Sequence, residues 1–168
     1  MFVGHAGIAL GAAGLRPRTP LLALLLASFG VDLLESALWF AGAEEAVPRP
    51  AESLPSTLAV AAAFALVYGA LRRDWAGAAL VAAVAASHLP ADLVSGQVAV
   101  WPGGASVGLN LFASPVIDWA VEAALAAGGW FLWRRSLPPA ARRYPATVAV
   151  LVGLLVAQAV FLVVLVRT

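Results

Sequence analysis

Long apolar stretches separated by short polar segments dominate this chain. A membrane-spanning helix needs about 20 apolar residues, and five stretches have or approach that length: Leu21–Ala41, Pro55–Leu71, Trp75–Val94, Ala113–Trp133 and Pro145–Val166. A sixth stretch, Phe2–Leu15, is shorter. The pattern predicts an all-α fold, a polytopic transmembrane helix bundle with five or six membrane segments. Residues 1–168 are expected to form a single integral membrane domain.

The short first stretch, Phe2–Leu15, has three possible structures: a thin span, one arm of a re-entrant hairpin, or a helix on the membrane surface. Because it lacks the charged face of a surface helix, we expect it to insert into the bundle. Its glycines recur at three- and four-residue spacing and would allow close packing against another helix: Gly4, Gly7, Gly11 and Gly14. A signal peptide is not expected, since the basic residues follow the apolar stretch.

Composition supports a membrane location. Hydrophobic residues make up 62% of the chain and charged residues 11%, whereas soluble domains average about 45–50% and about 25%. The lipid bilayer is therefore the expected surroundings, and a net charge of +1 argues against nucleic acid as a partner. The absence of cysteine excludes disulfides and thiolate metal ligands.

Arginines predict the orientation of the bundle. They cluster in alternate connections, which the positive-inside rule assigns to the cytoplasm: Arg16 and Arg18, Arg72 and Arg73, then Arg134, Arg135, Arg142 and Arg143. The intervening segments Gly42–Leu54 and Ser95–Phe112 are then the outer loops. Gly103-Gly104 indicates a turn in the second of them.

The most polar motif within an apolar stretch is Ser87-His88-Leu89-Pro90-Ala91-Asp92. His88 and Asp92 stand four residues apart and therefore share one helix face. Pro90 has no backbone N–H and clashes with the carbonyl four residues earlier, so the helix should kink or break near it. Such a break at membrane depth is tolerated where it is buried in protein or lines a water-filled cavity. The plainer interpretation is that Asp92 only caps the helix.

Ionisable residues inside the predicted spans fall at similar depth, in the middle and outer half of the membrane. They are Asp32, Glu35, His88, Asp92, Asp118 and Glu122, joined by His5 if the first stretch inserts. Each buried carboxylate costs about 2.5–3.5 kcal/mol or more, and no arginine lies in the spans to pair with them. Asp118 has a simpler alternative role in the first turn of its helix. For the group, a divalent metal resolves the charge problem best, and zinc accepts both imidazole and carboxylate ligands.

Several short motifs, in order, resemble the membrane-bound, metal-dependent hydrolase-like proteins of bacterial inner membranes. They are Val3-Gly4-His5, Asp32 in an apolar second segment, Ser87–Asp92, Trp101-Pro102-Gly103-Gly104, Val107–Leu111 and then Glu122. The resemblance implies a location in the bacterial inner membrane and a metal site formed by His5, Asp32, His88 and Asp92. Where that family often has a further histidine, this chain has Ser56. Where a second aspartate often follows the first closely, this chain offers Glu35 at a different spacing.

Three functions follow as hypotheses. The leading one is a zinc-dependent hydrolase in which Glu35 or Glu122 acts as the base on a lipid-borne or amphiphilic ester or phosphoester. The second is a small transporter that relays protons or binds a cation through Asp32, His88 and Glu122. The third is a non-catalytic membrane scaffold that keeps the polar cluster for packing.

Overall fold

The structure is a computed structural model that describes residues 1–42 and 51–167. Its helices are α1 (Val3–Leu15), α2 (Leu21–Ser28), α3 (Gly30–Phe40), α4 (Leu54–Arg72), α5 (Trp75–Ala86), α6 (His88–Ser95), α7 (Pro115–Ser136), α8 (Pro139–Arg142) and α9 (Pro145–Arg167). Two strands of two residues each, β1 (Val98–Ala99) and β2 (Ser106–Val107), pair as an antiparallel hairpin. The predicted all-α bundle is confirmed.

Four helical segments are long and apolar enough to cross a membrane: α4, the α5–α6 pair, α7 and α9. The bent pair α2–α3 makes a fifth candidate span. The predicted segments therefore reappear as helices, with ends shifted by a few residues. Most of the predicted outer loop Gly42–Leu54 lies outside the described residues.

The short helix α1 lies inside the bundle, as predicted. Nearly all of its residues from Val3 to Ala13 are buried, and α7 is its main partner. Backbone approaches backbone at Gly7, where an added Cβ would lie 2.5 Å from the Leu125 carbonyl oxygen. Gly14 meets α7 in the same way at Leu132. The glycine spacing thus serves the close helix packing that the sequence indicates.

The second predicted segment, Leu21–Ala41, is present as a broken helix, a feature that the apolar pattern did not predict. α2 and α3 meet at Phe29 with a bend of 52°, where φ and ψ of Phe29 are −94° and 5°. The missing side chain of Gly30 makes room for a ring, since a Cβ there would lie 2.5 Å from Phe64 Cε2. The bend brings the carbonyl end of α2 and the first turn of α3 toward α1 and α6.

The break expected near Pro90 is confirmed. α5 ends at Ala86 and α6 begins at His88, with Ser87 between them. Pro90 cannot donate a hydrogen bond to the carbonyl of Ala86, and the Ser87 hydroxyl donates to the Val84 carbonyl at 2.7 Å. This break starts a new helix at His88 and places the imidazole in its first turn.

Beyond α6 the chain forms the hairpin end of the bundle. Val98 pairs with Val107 and Ala99 with Ser106, and the predicted turn contains Gly103 at φ +71°. The Leu109 N–H donates to the Leu93 carbonyl at 2.7 Å. The hairpin therefore folds back onto the end of α6, beside the polar residues of that helix.

At the opposite, arginine-rich end, Asp74 ties α1 to α5. Its Oδ1 accepts hydrogen bonds from Gly77 N at 2.9 Å and from Arg16 Nη2 at 2.8 Å. The Gly77 N–H first, and then Arg16, holds the pKa of Asp74 below its ordinary value of 3.8. Asp74 thus caps the N-terminus of α5 and holds the C-terminal end of α1 through Arg16.

We expect Asp74→Ala to lower the melting temperature of the detergent-purified protein by a few degrees at neutral pH, because the cap and the ion pair are lost. A lowered folded-state pKa gives stability that is present above pH 3.8 and lost as the pH falls through the folded-state pKa. The difference from the parent should therefore narrow in acid. Asp74→Asn keeps a capping oxygen, so its melting temperature should fall less than that of Asp74→Ala. If the melting temperatures of Asp74→Ala and the parent differed by the same amount at all pH values, the role of the ionised Asp74 carboxylate would be contradicted.

Candidate metal centre

Four side chains from three helices converge near the hairpin end of the bundle. They are His5 of α1, Asp32 of α3, and His88 and Asp92 of α6, and one ligand atom of each lies within 4.8 Å of the others. These are the four residues that the family resemblance implies. The broken helices bring them together, since Asp32 and His88 each lie in the first turn after a break.

Asp92 is at the centre of the group. Its Oδ2 lies 2.8 Å from His88 Nε2, and its Oδ1 lies 3.3 Å from His5 Nε2. Asp32 is more distant, with Oδ1 3.7 Å from His88 Nε2. The two histidines are almost fully buried, whereas the Asp32 side chain is 38% exposed. The cluster therefore has a buried core of three residues and one carboxylate on its open side.

The Nε2 atoms of the two histidines lie inside the cluster without hydrogen-bond partners in the part of the chain that the structure describes. Among the described residues, neither His5 Nε2 nor His88 Nε2 has a hydrogen-bond partner of suitable geometry, despite the short distances to Asp92. Buried polar atoms are normally hydrogen-bonded, and each exception needs a physical explanation. Nitrogen and oxygen atoms that face a common point are the arrangement expected of a metal-ligand set.

Supporting contacts orient the two rings. The carbonyl of Ser28, at the end of α2, lies 3.4 Å from His88 Nδ1, the partner that metal-binding histidines commonly have on their second nitrogen. The Ser28 hydroxyl donates to the His5 carbonyl at 2.7 Å. The two imidazoles stack with centroids 4.3 Å apart and an interplanar angle of 11°. Both Nε2 atoms are thereby turned toward Asp92.

The cluster already contains an ion pair between Asp92 and a positively charged group. The α-amino group of Met1 lies 2.6 Å from Asp92 Oδ1. With neutral imidazoles, the two aspartates carry two negative charges against the one positive charge of this amine, so a divalent cation that replaced the amine would balance them. The cluster could hold a metal ion by donor type, charge and spacing.

The two predicted bases, Glu35 and Glu122, are not members of this cluster. The Glu122 carboxylate accepts hydrogen bonds from the backbone N–H groups of Phe2 and Gly4 at 2.8 and 3.0 Å. Glu35 accepts one from Ala51 N at 2.7 Å. Each carboxylate is engaged by backbone at a helix start or loop. Ser56, where the resemblance implies a further histidine, also lies outside the cluster, and its hydroxyl accepts a hydrogen bond from the Ser53 hydroxyl at 2.9 Å.

A cavity of about 320 Å³ adjoins the cluster. Its polar lining residues are Asp32, Glu52, Asp92 and Gln97, and its apolar walls include four phenylalanines: Phe2, Phe29, Phe112 and Phe161. Ligand sites of small molecules start at about 300 Å³ and combine apolar walls with a few polar groups. The cavity thus offers an apolar ligand direct access to the carboxylates.

Sequence reasoning missed two contributors to this site. Ser28 and Phe29 lie inside an uninterrupted apolar stretch, and neither has a recognisable motif. The available signal was Ser28-Phe29-Gly30, a small polar residue and a glycine within a helical pattern, which can mark a break.

Comparison of the chain with protein-family models, curated proteins and solved structures yields no match.

Proposed function

We propose that this protein is a metal-dependent hydrolase of the bacterial inner membrane, related to the hydrolase-like family it resembles. The observation that carries the proposal is the convergence of His5, Asp32, His88 and Asp92 beside a phenylalanine-lined cavity. A pair of buried histidines with a shared carboxylate is a common ligand set of catalytic zinc sites.

The donor set fits a divalent ion, with zinc as the first candidate. His5, His88 and Asp92 supply the three closely spaced protein ligands that catalytic zinc sites usually have. When bound, the metal would lower the pKa of a coordinated water and polarise the bond to be cleaved. The protein would hold it through the buried core of the cluster and leave the side facing the cavity open.

Asp32 is the group best placed to accept a proton. It is the most exposed of the four residues, it lines the cavity, and its carboxylate is the one farthest from the imidazoles. A carboxylate at the boundary between ligand set and cavity can act as a general base toward water. We therefore assign the role first predicted for Glu35 or Glu122 to Asp32.

The cavity favours an amphiphilic substrate. Phe2 and Phe161 stack with ring centroids 4.9 Å apart, and Phe29 and Phe112 complete an aromatic wall near the carboxylates. An acyl or alkyl chain would lie against the rings, while the polar group to be hydrolysed would meet Asp32 and Asp92. An ester or phosphoester carried by a lipid has this shape.

The test is hydrolysis of a short-chain p-nitrophenyl ester and of a p-nitrophenyl phosphodiester by zinc-loaded, detergent-purified protein. We expect Asp32→Asn to lower kcat by about 10²–10⁴-fold, the usual contribution of a general base. Metal content should stay close to that of the parent. The matched control is Asp74→Asn, the same substitution at the other end of the bundle, which should leave the rate unchanged.

Two results would contradict the proposal. One is a zinc-loaded parent that hydrolyses neither compound above the rate of the buffer. The other is equal activity in the parent and in Asp32→Asn. The first result would favour a transporter or a scaffold, and the second would exclude Asp32 as the general base.

A further inference from the structure

A second buried polar group lies behind the metal cluster, between α1, α7 and α9. Asp118 and Glu122 are four residues apart on α7 and are 3% and 0% exposed. Because they are four residues apart on one helix, their carboxyl groups lie on the same face of α7. Among the described residues, no N–H or O–H group reaches Asp118 Oδ1 or Glu122 Oε1. A hydrogen bond between two carboxyl groups requires a proton on one of them.

Gln158 of α9 is a third buried polar residue in this region, on a different helix from the two carboxyl groups. It is 0% exposed, and neither its Oε1 nor its Nε2 has a hydrogen-bond partner among the described residues. Gln158 and Thr147 are the two buried residues of α9 over 145–163. They are eleven residues apart, about three helical turns, and therefore share one face. Trp130 of α7 donates to the Thr147 carbonyl at 2.5 Å, so this face packs on α7.

The register places Gln158 at the level of the two carboxyl groups. From the Trp130–Thr147 contact, Gln158 is about 16 Å along α9 at a rise of about 1.5 Å per residue. Along antiparallel α7 the same rise puts Glu122 about 12 Å and Asp118 about 18 Å from that contact. One turn beyond Gln158, Phe161 stacks on Phe2, whose N–H donates to Glu122. The amide thus lies on the α7-facing side of α9, at the level of the two carboxyl groups.

Charge balance defines what this group can hold. The Glu122 carboxylate receives two N–H groups from the first turn of α1, and the positive end of that helix offsets part of its charge. The Met1 amine, which precedes α1, is bound to Asp92 at 2.6 Å, and His5, the titratable side chain of α1, lies beside Asp92 and His88. Residues 145–163 of α9 contribute no titratable side chain. About one negative charge remains without compensation.

We propose that Asp118, Glu122 and Gln158 form a second site that holds one monovalent cation. In its simplest form the cation is a proton shared by the two carboxyl groups, with the Gln158 amide as a further hydrogen-bond partner. A sodium ion bound by carboxylate and amide oxygens has the same charge and would satisfy the same atoms. The site is separate from the metal cluster and does not depend on hydrolysis.

The test is infrared spectroscopy of the full-length protein in detergent at neutral pH, combined with melting curves in sodium chloride and in choline chloride of equal ionic strength. We expect the parent to show the carbonyl band of a protonated carboxyl group. Asp118→Asn and Glu122→Gln should each lose that band. Gln158→Leu keeps both carboxyl groups and should shift the band rather than remove it.

Asp74→Asn is the matched control. Its carboxyl group lies outside the spans and, with a lowered pKa, is ionised at neutral pH, so the band should be unchanged. A melting temperature that rises with sodium in the parent but not in Asp118→Asn would identify sodium as the cation. A parent with neither the band nor a sodium response would overturn the proposal. None of these readouts requires bound zinc or turnover, so failure here is distinct from failure of the proposed hydrolase.

Discussion

Protein purified with Asp92 replaced by alanine should contain almost no zinc, whereas the parent should contain close to one equivalent. Asp92 approaches both histidines, at 2.8 Å and 3.3 Å, so its removal takes away the central oxygen donor. Loss of outer-shell partners alone costs about 10–100-fold in metal affinity, and we expect the loss of this ligand to exceed 100-fold. His88→Ala should behave in the same way.

Elemental mass spectrometry of the detergent-purified proteins measures this effect directly. Asp92→Asn keeps the volume of the side chain, so it separates loss of metal binding from loss of packing. Melting curves provide a second readout, since zinc at 100 times its Kd would stabilise the folded parent by about 2.7 kcal/mol. Asp74→Ala is the control that removes an aspartate far from the cluster. A well-folded parent that takes up no zinc would remove the basis of the metal-site assignment.

The second large effect is expected at the contact between α1 and α7. Gly129→Ala should lower the stability of the bundle by about 3 kcal/mol, at the upper end of the usual cost of overpacking. A Cβ at Gly129 would overlap the carbonyl oxygen of Gly7, and a backbone atom cannot move aside as a flexible side chain can. Because α1 carries His5, the displaced helix should also bind zinc more weakly.

The adjacent glycine provides the matched control. Gly128 is exposed, and an added Cβ there would meet nothing within 4 Å. Gly128→Ala should therefore change stability by no more than about 0.5 kcal/mol, as usual for surface positions. Melting curves and zinc content of the two variants, measured side by side, test the contact. Equal melting temperatures for the two variants would show that α1 does not pack on Gly129 as described.

The metal cluster was only partly accessible from the sequence. His88 and Asp92 were grouped by the four-residue spacing of one helix face, which is a local property. His5 and Asp32 lie far away in the chain. Their depth in the membrane placed them in a larger group of ionisable residues, and the family resemblance then selected these four. The hydrogen-bond partners of Glu122 were not accessible from the sequence, because its carboxylate binds the N–H groups of Phe2 and Gly4, more than 100 residues earlier in the chain.

The helix breaks show the same division. The break near Pro90 can be predicted from the sequence, since proline removes a backbone hydrogen-bond donor and clashes with the preceding turn. The bend at Phe29 has no such residue and depends on Gly30 receiving the ring of Phe64. A contact between two helices cannot be read from either helix alone, and this one sets the direction of α3 and hence the position of Asp32.

The sequence by itself determined the helical class, the approximate spans and the close-packing glycines of α1, because apolar length and residue spacing are local quantities. It also determined that buried ionisable groups would need compensation, since their cost follows from depth in an apolar stretch. Only the tertiary structure decided how each group is compensated. His5 and Asp32 join the metal cluster and Glu122 faces the N-terminus of α1, while Asp118 and Glu122 share one face of α7 at the level of Gln158. These pairings depend on helix register and on the helix breaks at Phe29 and Ser87.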